Sequence, residues 1–137
     1  MMVSTKGRYA LRVMIDIAKN GERAPVSLRD VARRQDISTK YLEAIVATLN
    51  KAGYVESFRG KTGGYKLSRA PKDYNIRELL ELTEGTLAPV ACIEGGCPRS
   101  AECPTVALWK NLDGVIGKYL DSISLQDVID GNFNSNI

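Results

Sequence analysis

The chain contains no histidine among its 137 residues. That absence removes imidazole acid–base chemistry, Ser–His and Cys–His nucleophile pairs, and every His metal ligand from within the chain. No apolar run approaches the roughly 20 residues that a membrane-spanning helix requires. The opening Met1-Met2-Val3-Ser4-Thr5-Lys6 lacks the apolar core of a secretory signal. A cytoplasmic protein that does not enter membranes is the expectation. Gly60-Lys61-Thr62-Gly63-Gly64 falls short of a nucleotide-binding P-loop, and no nucleophile–base pair is visible, so an enzyme is not expected. Cysteine is scarce: three residues, an odd number that argues against a disulfide framework.

What is present is unevenly placed. Residues 1–72 carry fifteen Lys and Arg against six Asp and Glu, a net +9, whereas residues 73–137 carry four against ten, a net −6. A basic portion joined to an acidic one suggests a polyanion-binding face with nucleic acid as the leading partner. A chance clustering of solvated charges is the plain alternative. These halves also mark the expected organisation, a DNA-binding domain over 1–72 and a second region over 73–137.

The pattern predicts a helix from about residue 4 to 19, with Tyr9, Ala10, Val13, Met14 and Ile17 at helical spacing and Ser4 as its cap. Ser27 caps a short second helix built on Leu28, Val31 and Ala32 and ending near Arg34. After the tight Gln35-Asp36-Ile37 connection, Ser38 caps a third helix running to about Ala52, with Leu42, Ile45, Val46 and Leu49 on one face. Two short helices joined by a turn are a helix-turn-helix pattern. Gly53 ends the third helix, Tyr54 to Arg59 alternates like a strand, Gly60 to Gly64 is a flexible turn, and Tyr65-Lys66-Leu67 returns. A hairpin in that place is a wing. The expected fold is therefore mainly α, a winged helix-turn-helix with a long C-terminal helix.

In such a fold the second helix of the pair enters the major groove by its N-terminal end. The outward residues there are Ser38, Thr39, Lys40, Glu43, Ala44 and Ala47, with Tyr41 either in the core or against the DNA backbone. Ser38 and Lys40 suit phosphate contacts. Glu43 is repelled by phosphate and serves only by accepting from a cytosine amino group, or else faces away from the duplex. At the wing, Arg59 suits a narrow minor groove, and Gly60, Lys61 and Gly63 allow a close backbone approach.

Beyond the linker at Ala70 to Asp73, Asn75 caps a helix with Ile76, Leu79, Leu80 and Leu82 facing inward. A loop over 86–103 follows, and Pro104 is placed in the first turn of a long helix over 104–122. Its apolar face, with Leu108, Leu112, Val115 and Tyr119 in sequence and Trp109 and Ile116 beside them, is wider than one small domain requires, so it is expected to pack on a second copy. Ser124 caps a last short helix, Leu125 to Ile129, and an Asn-rich tail from Gly131 to Ile137 is expected to be disordered. The loop carries Cys92, Cys97 and Cys103 with C-x4-C-x5-C spacing. Three soft thiolates on a glycine-rich loop suit zinc or an iron–sulfur cluster; thiol-based redox sensing is the alternative. Outside DNA binding, a protein-interaction module that meets an acidic partner is the competing reading.

Several stretches resemble the Rrf-type winged-helix regulators of bacteria. They are Ser4-Thr5-Lys6-Gly7-Arg8-Tyr9-Ala10-Leu11-Arg12, Tyr41-Leu42-Glu43, the wing Arg59-Gly60-Lys61-Thr62-Gly63-Gly64-Tyr65, and Leu82-Thr83-Glu84-Gly85 followed by the cysteine loop and Ala107-Leu108-Trp109. The resemblance covers nearly the whole chain, and the cysteines place it with the cluster-binding IscR-type branch. It implies a homodimer on a palindromic double-stranded DNA operator. It further implies an iron–sulfur cluster, 2Fe–2S in preference to 4Fe–4S, held by Cys92, Cys97 and Cys103 and tuning DNA binding. By the same resemblance, Glu43 discriminates between operator types and Arg59 makes the minor-groove contact. Two positions depart from the pattern. Val106 stands where IscR-like members have a His ligand, and Arg8 where NsrR-like members have an Asp ligand, so the fourth ligand falls to Glu94, Glu102, a small thiol or solvent.

Overall fold

A computed structural model describes residues 3–133. Helix α1 spans Thr5–Asn20 and buries Ala10, Val13, Met14 and Ile17, the stripe its sequence spacing dictates. Helix α2, Leu28–Gln35, starts where the Ser27 hydroxyl accepts the Asp30 N–H at 3.2 Å. Asp36 takes a left-handed turn (φ 53°), a conformation Asp tolerates better than bulkier residues. Helix α3, Thr39–Lys51, follows with Ser38 accepting the Tyr41 N–H at 3.2 Å and with Leu42, Ile45, Val46 and Leu49 fully buried.

The wing is an antiparallel hairpin of β1, Val55–Phe58, and β2, Gly64–Leu67, paired Val55 with Leu67 through Phe58 with Gly64. It is fastened to the rest of the domain by reciprocal backbone bonds between Val26 and Tyr65, both 2.8 Å. A 3-10 turn over Pro71–Asp73 leads into α4, Ile76–Glu84. Then come the helical turn α5, Cys92–Gly95, the long α6, Val106–Asp121, and α7, Leu125–Asp130, which carries a capping box between Ser124 and Asp127. One hydrophobic cluster joins α1–α3 to Tyr74, Leu79, Leu80, Ile123 and Leu125. Each such buried aliphatic side chain contributes about 1.5–3 kcal/mol over exposure. Backbone bonds from Ile76 to Ile123 (3.0 Å) and from Leu125 to Tyr74 (3.0 Å) clip the α6–α7 junction to the start of α4.

Several sequence expectations are corrected. Ser4 is the N-cap residue of α1, but its hydroxyl makes no cap bond; Ser4 and Gly7 instead donate to the distant Glu84 carboxylate. Thr83 joins Ile76, Leu79 and Leu80 as a buried residue of α4, and Leu82 is only half-buried. The Thr83 hydroxyl donates to the Leu80 carbonyl at 3.1 Å, which satisfies its polar atom in the core. Pro104 lies ahead of α6 rather than in its first turn, because the chain is still turning at Thr105. Gly131 and Asn132 are ordered: they close α7 through bonds to the Val128 carbonyl (3.3 Å) and the Asp127 carbonyl (2.9 Å). Residues 134–137 of the expected disordered tail lie outside the described residues.

Candidate nucleic-acid interface and cysteine loop

Helix α3 presents Ser38, Thr39, Lys40, Tyr41, Glu43, Ala44 and Ala47 to solvent, with its apolar residues turned inward. Of the two places open to Tyr41 in the sequence, the core is excluded, and the ring stays on the solvent side of α3. It is 37% exposed and sets its ring edge-on to Tyr9 at 5.7 Å. Arg12 lies over the Tyr9 ring at 5.1 Å and donates to the Gln35 side chain at 3.1 Å and to the Gln35 carbonyl. The N-terminal end of α3 is therefore braced through α1 to the end of α2. At the wing, Arg59, Gly60 and Lys61 are exposed and Gly63 is half-buried. A Cβ on Gly63 would lie 2.3 Å from the Phe58 carbonyl oxygen, and one on Gly64 would lie 2.3 Å from that of Val26. The tight tip and its attachment both demand glycine.

Three supports of this surface were not visible in the sequence pattern. Asp16 is almost fully buried on α1, and its carboxylate accepts two bonds from Arg34 (3.0 and 2.7 Å) and one from Gln35 (2.9 Å). Burial alone would push this carboxyl up, but the hydrogen bonds from Arg34 and Gln35 and the guanidinium charge win and hold it below its ordinary value. Its position three residues after Val13 and one before Ile17 is the only sequence clue that it faces inward. Tyr74, 1% exposed, donates to the Tyr54 carbonyl at 2.6 Å and accepts from the Ser68 and Arg69 N–H groups at 3.0 and 3.1 Å, locking the base of the wing. Glu84 accepts at one oxygen from Ser4 N–H (3.1 Å), Ser4 hydroxyl (2.7 Å) and Gly7 N–H (3.0 Å). A carboxylate at a helix N-terminus satisfies otherwise orphaned donors and meets the positive end of the helix dipole. Gly7 permits the approach, since a Cβ there would lie 2.3 Å from the Glu84 oxygen.

The cysteine loop begins just after Glu84 and is built differently. From Ala88 to Ile116 no residue is buried. Cys92 is exposed; Cys97 and Cys103 are half-buried, and all three are free thiols. The Thr105 hydroxyl, 3.3 Å from the Cys103 sulfur, together with backbone N–H groups holds that thiol below its ordinary pKa, which favours the thiolate that binds metals or attacks disulfides. The same hydroxyl accepts from the Trp109 indole at 3.2 Å. Glu94 is tied to the Thr86 hydroxyl, and Glu102 is exposed. Among the described residues no three Cys, Asp or Glu side chains converge as a metal site. Three thiols suit an iron–sulfur or zinc centre by chemistry, but they are not preassembled.

Helix α6 meets the core through its C-terminal half. Gly117 is buried against the Arg77 guanidinium, which bridges Glu81 (3.0 Å) and Asp121 (2.9 Å). Trp109, Ile116 and Tyr119 are half-buried within the subunit, whereas Leu108, Leu112 and Val115 are 57%, 39% and 48% exposed. No described helix is long and apolar enough to cross a membrane.

The profile of the Rrf2 family, described as an iron-dependent transcriptional regulator, matches residues 3–131. The chain is 38% identical over 131 residues to the protein rrf2 of Nitratidesulfovibrio vulgaris, covering 94% of this chain and 87% of that one. It is 36% identical over 130 residues to the HTH-type transcriptional regulator IscR of Escherichia coli, covering 94% and 80%. Among solved structures, CymR, the global cysteine regulator of B. subtilis, superposes with a TM-score of 0.79 at 35% identity, covering 96% of this chain and 98% of that one. IscR of T. potens gives 0.78 at 35% identity, covering 100% and 92%. With a winged helix-turn-helix, a matching profile along almost its entire length and these relatives, the chain belongs to the Rrf2 family of transcriptional regulators.

Proposed function

We propose that this regulator binds a palindromic operator as a homodimer and that its cysteine loop carries an iron–sulfur cluster whose state sets DNA affinity. One observation carries the reading: a prebuilt basic reading head is joined to a segment with no buried residue from Ala88 to Ile116. A stretch of that length gains order by packing on something else. Leu108, Leu112 and Val115 offer a second copy an apolar helix face, and Cys92, Cys97 and Cys103 offer a soft metal centre three ligands. A bound cluster would supply an oxidant-labile, redox-active cross-link among those three positions. Pairing two heads matches a two-fold operator and supplies the affinity that one small head lacks.

In this reading Ser38, Thr39, Lys40, Tyr41, Glu43 and Ala44 meet the major groove, and Arg59, Gly60, Lys61 and Gly63 meet the minor groove. Glu84 couples the halves. It holds the N-terminus of α1 while standing two residues before Thr86, whose hydroxyl holds Glu94 inside the cysteine loop. A second reading, in which the thiols sense oxidants directly, is favoured by the Thr105 hydroxyl 3.3 Å from the Cys103 sulfur, a contact that supports the thiolate.

Anaerobic purification separates the readings. The cluster reading expects a coloured protein with iron and sulfide, visible charge-transfer absorption and loss of both in Cys92→Ala. A colourless protein with intact thiols supports the sensor reading, and stoichiometric zinc overturns both. DNA binding is tested with duplex selected from a random pool: the affinity should fall steeply with salt, by about 0.9 log units per log unit for each neutralised phosphate.

A further inference from the structure

We propose that Phe58 is a DNA-contacting residue, an apolar wedge that the wing presses against the deoxyribose wall of the minor groove beside Arg59. The inference deepens the reading of the chain as a duplex binder and rests on it. The large apolar side chains most open to solvent among the described residues are Tyr41, Phe58, Leu108, Leu112, Val115 and Phe133. Three lie on α6, Tyr41 leans on Tyr9, and Phe133 follows α7 at the end of the described residues. Phe58, 43% exposed, stands at the end of β1 where the hairpin tip begins. Single exposed apolar residues are common; what distinguishes this one is why its ring is bare and what surrounds it.

The strand register sets Phe58 opposite Gly64. A side chain at Gly64 would strike the Val26 carbonyl, with a Cβ 2.3 Å from its oxygen and 2.4 Å from its carbon. The attachment of the wing to Val26 therefore excludes any cross-strand side chain that could shield the ring. Around it stand Arg59, the next residue, Lys61 at the tip, and Lys66, whose ammonium lies 6.0 Å from the ring centroid. Glu56, paired with Lys66 in the register, is the one carboxylate on that face of the hairpin. An apolar protein surface seated here would strip water from three cations without repayment. A free anion would leave the ring unused. The sugar–phosphate wall of a minor groove offers anionic oxygens and apolar deoxyribose carbons side by side, so the cations and the ring are both matched there.

The test uses full-length protein purified anaerobically and a duplex of about 30 base pairs, long enough for two half-sites, selected from a random pool by the wild type. Phe58→Ala should bind roughly five- to tenfold more weakly, from lost apolar contact, with the salt slope and melting temperature unchanged. Phe58→Leu should recover most of the affinity. Arg59→Ala should instead flatten the slope by about one unit. Should Phe58→Ala melt early, Phe58→Gln takes its place with the same expectation. Wild-type affinity in the Ala or Gln variant, or a changed slope, overturns the wedge and leaves the regulator reading intact. Failure of the wild type to select any duplex sinks the regulator reading and the wedge with it.

Discussion

The two parts of this chain differ in how much of their structure they complete alone. The reading head is fixed by groups that are costly to disturb: a buried Asp16 with three donors within 3.0 Å, a Tyr74 hydroxyl making three bonds at the base of the wing, and a solid apolar core. The cysteine loop and the first turns of α6 have only half-buried and exposed residues, held by short-range contacts such as Thr105 with Cys103 and Trp109. The contrast teaches where to expect regulation. In the proposed reading, the surface that meets DNA is the tightly held part, and the segment with no buried residue is the one whose order a ligand and a partner subunit would govern.

Changing the incomplete part should have the largest effect on assembly. Leu112→Asp places a charge in the proposed interface, where an unpaired charge is strongly disfavoured, and should shift dimer to monomer across the micromolar range in analytical ultracentrifugation. An unaltered dimer would move the interface elsewhere. In the head, Asp16→Ala should cost about 2–4 kcal/mol by denaturant titration, since it removes three hydrogen bonds and a buried ion-pair partner. The sign of its pH dependence follows from the lowered pKa. The contribution is full above the ordinary carboxylate range and is lost as the pH falls through the folded pKa. The gap between wild type and Asp16→Ala should therefore narrow on acidification below about pH 4; a gap that widens would show that Asp16 is not held ionised.

A smaller effect is expected at the seam. Gly7→Ala pushes a methyl against the Glu84 carboxylate, which is the end of a flexible side chain, so the cost should be about 1–2 kcal/mol for loosened hydrogen bonds. A neutral result would mean that the carboxylate re-forms its bonds elsewhere on the α1 N-terminus. The smallest effect belongs to the loop: Glu94→Ala should change metal-free stability by less than about 0.5 kcal/mol. A loss matching that of Asp16→Ala would erase the contrast between the two parts.

The same contrast explains what was legible in the sequence. The α2–α3 pair and the wing were readable because local chemistry punctuates them: Ser27 and Ser38 cap, Gly53 ends a helix, and glycines mark the tip. The apolar stripe of α6 is readable from its spacing, and the structure leaves Leu108, Leu112 and Val115 of it exposed. Ser4 is legible as the N-cap of α1, but the partner of its hydroxyl is not, because Glu84 is eighty residues away and no local rule reports such a contact. Hydrophobicity puts Leu82 inward and says nothing of Thr83, but a Thr that bonds to the preceding turn can enter a core as the third member of a face set by Leu79 and Leu80. Asp16 was invisible for the opposite reason: charge argues for the surface until Arg34 and Gln35 are brought to it by the fold. The Cys spacing is compatible with a metal centre, but among the described residues the three thiols do not converge, and spacing along a loop carries no information on that distance.

The anchoring of the hairpin to Val26 also sets how this protein can diverge. With side chains barred at Gly63 and Gly64 and a left-handed backbone at Gly60 (φ 108°), the exposed tip positions open to substitution are Phe58, Arg59, Lys61 and Thr62, and in the proposed reading these are where the wing can tune operator preference. Paralogues that recognise new promoters would therefore vary at these few sites, or on the exposed face of α3, while the two glycines stay constant.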